Sequence, residues 1–269
     1  MHRFPAVANQ FYPGEAKALQ AALARLVPPR AAAEKQKALA VISPHAGYVY
    51  SGGVAGETLA AVQIPPDVLI MGPNHQGYGA QVALMHQGSW DMPMGEVPIN
   101  TTLAGLLLAN SAIIKADTLA HQFEHSLEVQ VPFLQYLQAD LTITPIVVSH
   151  LPLSTLLNLG RDIARAIIAY NHPVLLVASS DMTHYESREE ASRKDAMAME
   201  RIIQLDPEGL YNTVTRNRIT MCGVMPATVA LAAALELGAS KAELIRYTDS
   251  GATSGDTNQV VGYAGMVIS

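Results

Sequence analysis

Four short apolar runs constrain this chain most: residues 38–43 (ALAVIS), 68–72 (VLIMG), 142–149 (TITPIVVS) and 173–180 (PVLLVASS). Each has strand length without polar alternation, the pattern of a strand buried on both faces. Between them the apolar spacing turns helical. Residues 15–27 carry Leu19, Leu23 and Leu26 on one face, and residues 126–138, 153–170 and 187–205 follow the same rule. Strands alternating with helices predict an α/β sandwich. An apolar helix over 225–237, a strand near 243–247 and a last strand over 259–268 complete the order. No repeat, low-complexity tract or linker divides the chain, so a single domain over residues 1–269 is expected. Residues 28–37, polar and Ala/Lys-rich, read as an exposed connection. Residues 81–100, broken by Pro93 and Pro98, read as a hairpin or long loop beside the sheet that walls a pocket.

Charge and composition exclude several classes. With 23 acidic against 17 basic residues and no Lys/Arg run, the chain lacks the electrostatic footprint of a nucleic-acid binder. The amino end has no apolar secretory core, and stretches such as 227–235 fall well short of the roughly 18 residues a membrane span needs. Neither nucleic acid nor membrane is an expected partner. The single cysteine rules out an internal disulfide and any multi-cysteine zinc motif and fits a reducing compartment, so the cytoplasm is the expected location. The segment Ser51-Gly52-Gly53-Val54-Ala55-Gly56-Glu57 has neither the Lys-Ser/Thr ending of a phosphate loop nor a dinucleotide fingerprint, and no nucleotide cofactor is expected. Residues 250–256 read equally as a small-anion loop or a plain connection.

The chemistry gathers at strand ends. The first run leads into Pro44-His45-Ala46-Gly47-Tyr48, the second into Pro73-Asn74-His75-Gln76-Gly77, the third into His150, and the fourth into Asp181-Met182-Thr183-His184-Tyr185. Ligands of open α/β sheets sit outside the carboxyl ends of the strands, so these loops are expected to share one crevice holding a metal or acid/base site. Each residue also has a plainer reading. His45 and His75 are candidate ligands or ordinary loop histidines. Asp181 and His184, three apart, form a carboxylate–imidazole pair on a short turn, or Asp181 caps a helix. His125, between Glu124 and Ser126, donates to substrate from a helix start, or its neighbours simply cap that helix. His121, His150 and His172 read as core or surface histidines, and His2 and His86 carry no signal. Cys222, just before a predicted helix, is a buried small hydrophobe, a soft metal ligand, or a nucleophile activated by the helix terminus.

Taken together, Pro5-Ala6-Val7-Ala8-Asn9-Gln10-Phe11-Tyr12-Pro13, Ser43-Pro44-His45-Ala46-Gly47-Tyr48, Gly72-Pro73-Asn74-His75, Glu124-His125-Ser126-Leu127-Glu128, Ser179-Ser180-Asp181-Met182-Thr183-His184-Tyr185, Cys222-Gly223 and Val261-Gly262-Tyr263-Ala264 resemble the Memo family. That group includes protein B of the AmmeMemoRadiSam system, and the matching segments span nearly the whole chain in order. The family is similar in fold to class III extradiol dioxygenases, non-haem iron enzymes that cleave catechol-like rings. The resemblance implies a single-domain three-layer α/β sandwich, a mixed central sheet flanked by helices. It implies His45 and His75 as metal histidines, Cys222 in place of a glutamate ligand, His184 and His125 as acid/base groups beside the metal, and Asp181 next to His184.

The thiolate is a chemical departure. A two-histidine-one-carboxylate face suits Fe(II), whereas a thiolate is softer and admits Cu(I) or Zn(II). Fe(II) is the favoured expectation, acting in an oxidoreductase on a small aromatic or oxygenated substrate. A non-catalytic copper or iron binder, or an adaptor for a peptide, is the alternative, although no Arg cluster for phosphate is evident. A metal-free Cys/His hydrolase is a further alternative, and it would need Cys222 beside His184 or His125. The resemblance also implies a radical SAM pathway protein as a partner.

Overall fold

The computed structural model describes residues 2–269. In chain order it comprises β1 (His2–Arg3), α1 (Ala16–Leu26), β2 (Ala40–Ser43), α2 (Tyr48–Ala60), β3 (Asp67–Pro73), β4 (Val82–Leu84), β5 (Ser89–Met92), β6 (Gly95–Pro98), α3 (Thr101–Asn110), β7 (Lys115–Ala116), α4 (Val131–Leu137), β8 (Thr142–Val148), α5 (Leu153–Tyr170), β9 (Val174–Ser179), β10 (His184–Glu186), α6 (Arg188–Ile203), α7 (Pro207–Arg216), α8 (Val224–Glu236), β11 (Ala242–Asp249), α9 (Gly251–Ser254) and β12 (Val260–Ile268). The four apolar runs of the sequence are β2, β3, β8 and β9. They lie side by side in the order β2-β9-β3-β8, all parallel. Antiparallel β12 closes the β2 side and carries β11 and β10, while antiparallel β4 with β7 closes the other, so the sheet is mixed.

Side-chain alternation explains why these runs are apolar at every position. Ala40, Ile42, Leu69, Met71, Leu176 and Ala178 enter one buried cluster, with residues of α3, α5, α6, α7 and α8. Val41, Val68, Ile70, Leu175 and Val177 enter a second, with residues of α1, α2 and α4. Each strand therefore feeds two cores, one per face, and helices cover both. This is the three-layer mixed sandwich that the family resemblance implies. No described helix is long and apolar enough to cross a membrane.

Several expectations need correction. Residues 81–100 hold the expected hairpin beside the sheet, β5 with β6, which pairs with β1, but Val82–Leu84 is β4, a strand of the main sheet itself. That hairpin buries Trp90 completely and lies away from the histidine crevice, so it walls no pocket there. The expected helix over 126–138 is a 3-10 turn at Glu128–Gln130 followed by α4, and Ser126 does not cap it. The glycine-rich stretch after residue 48 is helix α2. Gly52 and Gly56 serve packing against α1: a Cβ at Gly56 would stand 2.1 Å from the Leu26 carbonyl oxygen and one at Gly52 2.9 Å from Leu26 Cδ1.

Candidate metal centre

The spatial order sets the site. Because β9 lies between β2 and β3, the loops that follow these three strands adjoin at their carboxyl ends. They bring His45, His75, Asp181 and His184 to a cavity of about 250 Å³, completed by Phe11, Ala46, Gly47, His125, Tyr185, Val261 and Tyr263. The fourth loop does not join them: β8 lies on the far side of β3, and His150 is exposed to solvent.

His45 is buried, and its hydrogen bonds fix its tautomer. The Ser179 hydroxyl donates to the Ser126 carbonyl at 2.6 Å and accepts from Gln130 Nε2 at 2.9 Å. With its one proton committed, Ser179 Oγ can only accept from His45 Nδ1, 2.9 Å away. His45 Nδ1 therefore carries the proton, and Nε2 presents a free lone pair. Burial first, and then the neighbouring histidines His125, His75 and His184, hold its pKa well below the ordinary imidazole value, which keeps it neutral. Nε2 stands 3.4 Å from Cys222 Sγ. Donors about 2.0 and 2.3 Å from one tetrahedral ion lie roughly 3.5 Å apart, so this spacing suits a shared cation.

His75 is held in the same way by a carboxylate. Glu124, 1% exposed, accepts its backbone N–H at 2.7 Å and pairs with Nδ1 at 2.8 Å. Burial raises the Glu124 carboxyl, but hydrogen bonds from His75 and the Ser126 amide, with the nearby imidazoles, outweigh that and bring it to about 2. An ionised partner on Nδ1 leaves His75 Nε2 open, the carboxylate–histidine arrangement common at metal sites. One donor atom each from His45, His75 and Cys222 lies within 4.8 Å of the others.

Cys222 lies next to Gly223, the N-cap of α8, at an unusually close crossing. A Cβ on Gly223 would come within 2.3 Å of Ser180 Cβ and 2.4 Å of the Ser179 carbonyl oxygen, so only glycine lets this turn lie against the end of β9. The helix terminus does not activate the thiol. Burial, followed by the Asp181 charge, pushes its pKa up. A bound cation is the influence that would oppose this and favour the thiolate.

Asp181 does not orient His184. Its carboxylate accepts the His45 amide at 2.7 Å, and its own amide donates to Cys222 Sγ at 3.3 Å, so it ties the two loops together. Burial raises its carboxyl pKa. His184 is positioned by Thr220, whose hydroxyl accepts its amide at 2.7 Å and whose carbonyl accepts Nδ1–H at 3.0 Å, leaving Nε2 free in the cavity. His125 stacks on His75 with ring centres 4.6 Å apart, and burial lowers its pKa, so it too is neutral.

A family model described as Memo-like protein matches residues 3–267. The chain belongs to the Memo family. A MEMO1 family protein of Pyrobaculum aerophilum is 41% identical over 98% of each chain, and one of Aquifex aeolicus is 40% identical over the same shares. Another, from Methanosarcina mazei, is 39% identical over 99% of this chain and 98% of its own. Among solved structures, the uncharacterized protein JW3007 from Escherichia coli K12 shares 15% identity with a TM-score of 0.54, covering 85% of this chain and 98% of that one. That likeness concerns the fold alone. Seen on the fold, the Memo-type segments of the sequence meet at one place: Phe11, His45, His75, His125, His184 and Tyr263 line the cavity, with Cys222 next to His45. Sequence reasoning left Glu124 as a helix cap and passed over Ser179, Gln130 and Thr220. Only the position of Ser179 at a strand end hinted at its place beside His45.

Proposed function

We propose that this Memo-family protein holds one metal ion on His45, His75 and Cys222 and works as a cytoplasmic non-haem iron oxidoreductase on a small aromatic or oxygenated substrate. The observation that carries the reading is the pair of spent Nδ1 atoms. Ser179 and Glu124 fix both imidazoles so that their Nε2 lone pairs remain open beside a buried thiol. Bound there, Fe(II) would supply a Lewis-acidic, redox-active centre with coordination positions left open. The chain's own groups supply the rest. His184 Nε2, free because Nδ1–H is donated to Thr220, accepts a proton from a substrate hydroxyl. Neutral His125 donates a hydrogen bond to developing negative charge, and Phe11, Tyr185 and Tyr263 supply aromatic walls to the cavity of about 250 Å³.

The thiol favours a second reading, a copper or iron binder without turnover, because a thiolate suits Cu(I). A metal-free hydrolase has less support. The histidine in reach of Cys222 Sγ is His45 rather than His184 or His125, and burial keeps the thiol protonated.

The test is the metal content of protein purified anaerobically and offered Fe(II), Cu(I) or Zn(II), compared with Cys222→Ala and His45→Ala. One equivalent of metal, lost in both variants, is expected. Fe(II) with oxygen uptake on catechols favours the enzyme, and Cu(I) without uptake favours the binder. Absence of stoichiometric metal sinks both.

A further inference from the structure

Five non-glycine residues among those described have a left-handed backbone: Asn9, Asn171, Tyr185, Leu205 and Arg218. Four have ordinary reasons. Asparagine tolerates this conformation, and Asn171 is the C-cap of α5. Leu205 and Arg218 directly follow the C-caps of α6 and α7, where left-handed residues commonly end helices. Tyr185, at φ 60°, stands inside a strand.

Its place in the ladder shows what the strain achieves. His184 pairs with Val261 and Glu186 with Val260, so β10 advances two residues where β12 advances one, and Tyr185 is the extra residue of a β-bulge. Bulges of this kind normally place glycine in the left-handed position, and they re-aim a side chain next to active sites. The surroundings hold the strained residue in place. The Thr183 carbonyl accepts from Gly262 at 2.9 Å, the His184 amide donates to Thr220 Oγ1 at 2.7 Å, and Glu186 pairs with Lys194 at 2.6 Å. Tyr185 is nonetheless 73% exposed, with its ring 5.8 Å from that of His184 and at the wall of the metal cavity. A strained conformation that glycine would adopt freely, kept under a large aromatic side chain that packs little against the protein, points to a use for the ring itself.

We infer that Tyr185 is the specificity-determining lip of the cavity, held by the bulge so that its ring stacks on the aromatic ring of the substrate. This inference rests on the proposed function for its substrate class. Stacking is expected to contribute about three- to tenfold in affinity.

Catechol is the probe, titrated anaerobically by calorimetry against metal-free and Fe(II)-loaded protein, with Tyr185→Phe, Tyr185→Ala and Tyr185→Gly beside the native chain. Native protein and Tyr185→Phe are expected to bind alike. The Ala and Gly variants are expected to lose about three- to tenfold in whichever form binds. Thermal unfolding of the metal-free proteins reads the strain separately. Tyr185→Gly is expected to melt about 2 °C or more above Tyr185→Ala, because only glycine relieves the left-handed residue. The inference is overturned if Tyr185→Ala binds catechol as tightly as the native chain, if the native chain binds none in either form, or if the Gly variant melts no higher than the Ala variant. Failure of the native chain to take up Fe(II), with catechol binding and its Tyr185 dependence intact, overturns the metal reading alone.

Discussion

Glu124 is a buried carboxylate whose three accepted hydrogen bonds, two from His75 and one from the Ser126 amide at 2.9 Å, hold one imidazole in place. Its carboxyl lies at about 2, below the ordinary 4.5. A depressed folded pKa contributes stability that is fully present above about 4.5 and lost as pH falls toward 2, so this grip stays intact at neutral pH. Glu124→Gln keeps one acceptor oxygen but turns an NH₂ group toward a donor N–H. Metal affinity is expected to fall about 10- to 100-fold. The ratio of native to variant affinity, measured by chelator competition, should stay flat between about pH 6 and 8, while both affinities fall together as pH drops, because binding must displace the proton of the Cys222 thiol. Equal affinities would remove Glu124 from the site. His45, His75 and Cys222 were recognisable as candidates from sequence because each sits where a strand ends or a helix starts. The role of Glu124 was not, because it acts across 49 residues of chain, and locally it is indistinguishable from a helix cap.

At the scale of elements, α8 and β9 meet without room for a methyl group at Gly223. Gly223→Ala must push the start of α8 away from Ser179 and Ser180 and carry Cys222 with it. A destabilisation of about 1–3 kcal/mol is expected from the overpacking alone. Urea denaturation should show this cost, and metal analysis of the folded variant should show less than one equivalent bound. Full metal occupancy in a destabilised variant would separate the crossing from the site. The same kind of contact explains which elements the sequence concealed. Helix α5 could be read directly because its apolar stripe keeps helical spacing from Leu153 to Tyr170. Helix α2 is mostly buried, and Gly52 and Gly56 answer to Leu26 of α1 rather than to a turn, so neither periodicity nor composition marks it. Strand β10 has three residues, one of them left-handed, and leaves no alternation to read.

At the scale of the whole molecule, the order β2-β9-β3-β8 decides which histidines meet, and local sequence is blind to it. All four runs are apolar and of strand length, so nothing in them tells which neighbours which; His150, read from its context as a core or surface histidine, stays out of the crevice because β8 lies beyond β3. A second long-range constraint is the anchoring of the amino-terminal segment. Arg3 and Glu128, 5% and 0% exposed, pair at 2.7 Å. Glu128 also accepts the Ala6 and Val7 amides and the Tyr12 hydroxyl at 2.8, 3.1 and 2.6 Å. This junction carries Phe11 to the cavity wall. Arg3→Ala leaves a fully buried carboxylate without its cation, a change expected to cost about 3–5 kcal/mol. Glu128→Gln strands the guanidinium instead and is expected to cost about as much. Because either change already breaks the same pair, the double variant should lose clearly less than the sum of the two. Urea denaturation of the four proteins measures that coupling, and strictly additive losses would show that the amino-terminal segment is held by its amides and Tyr12 rather than by the ion pair.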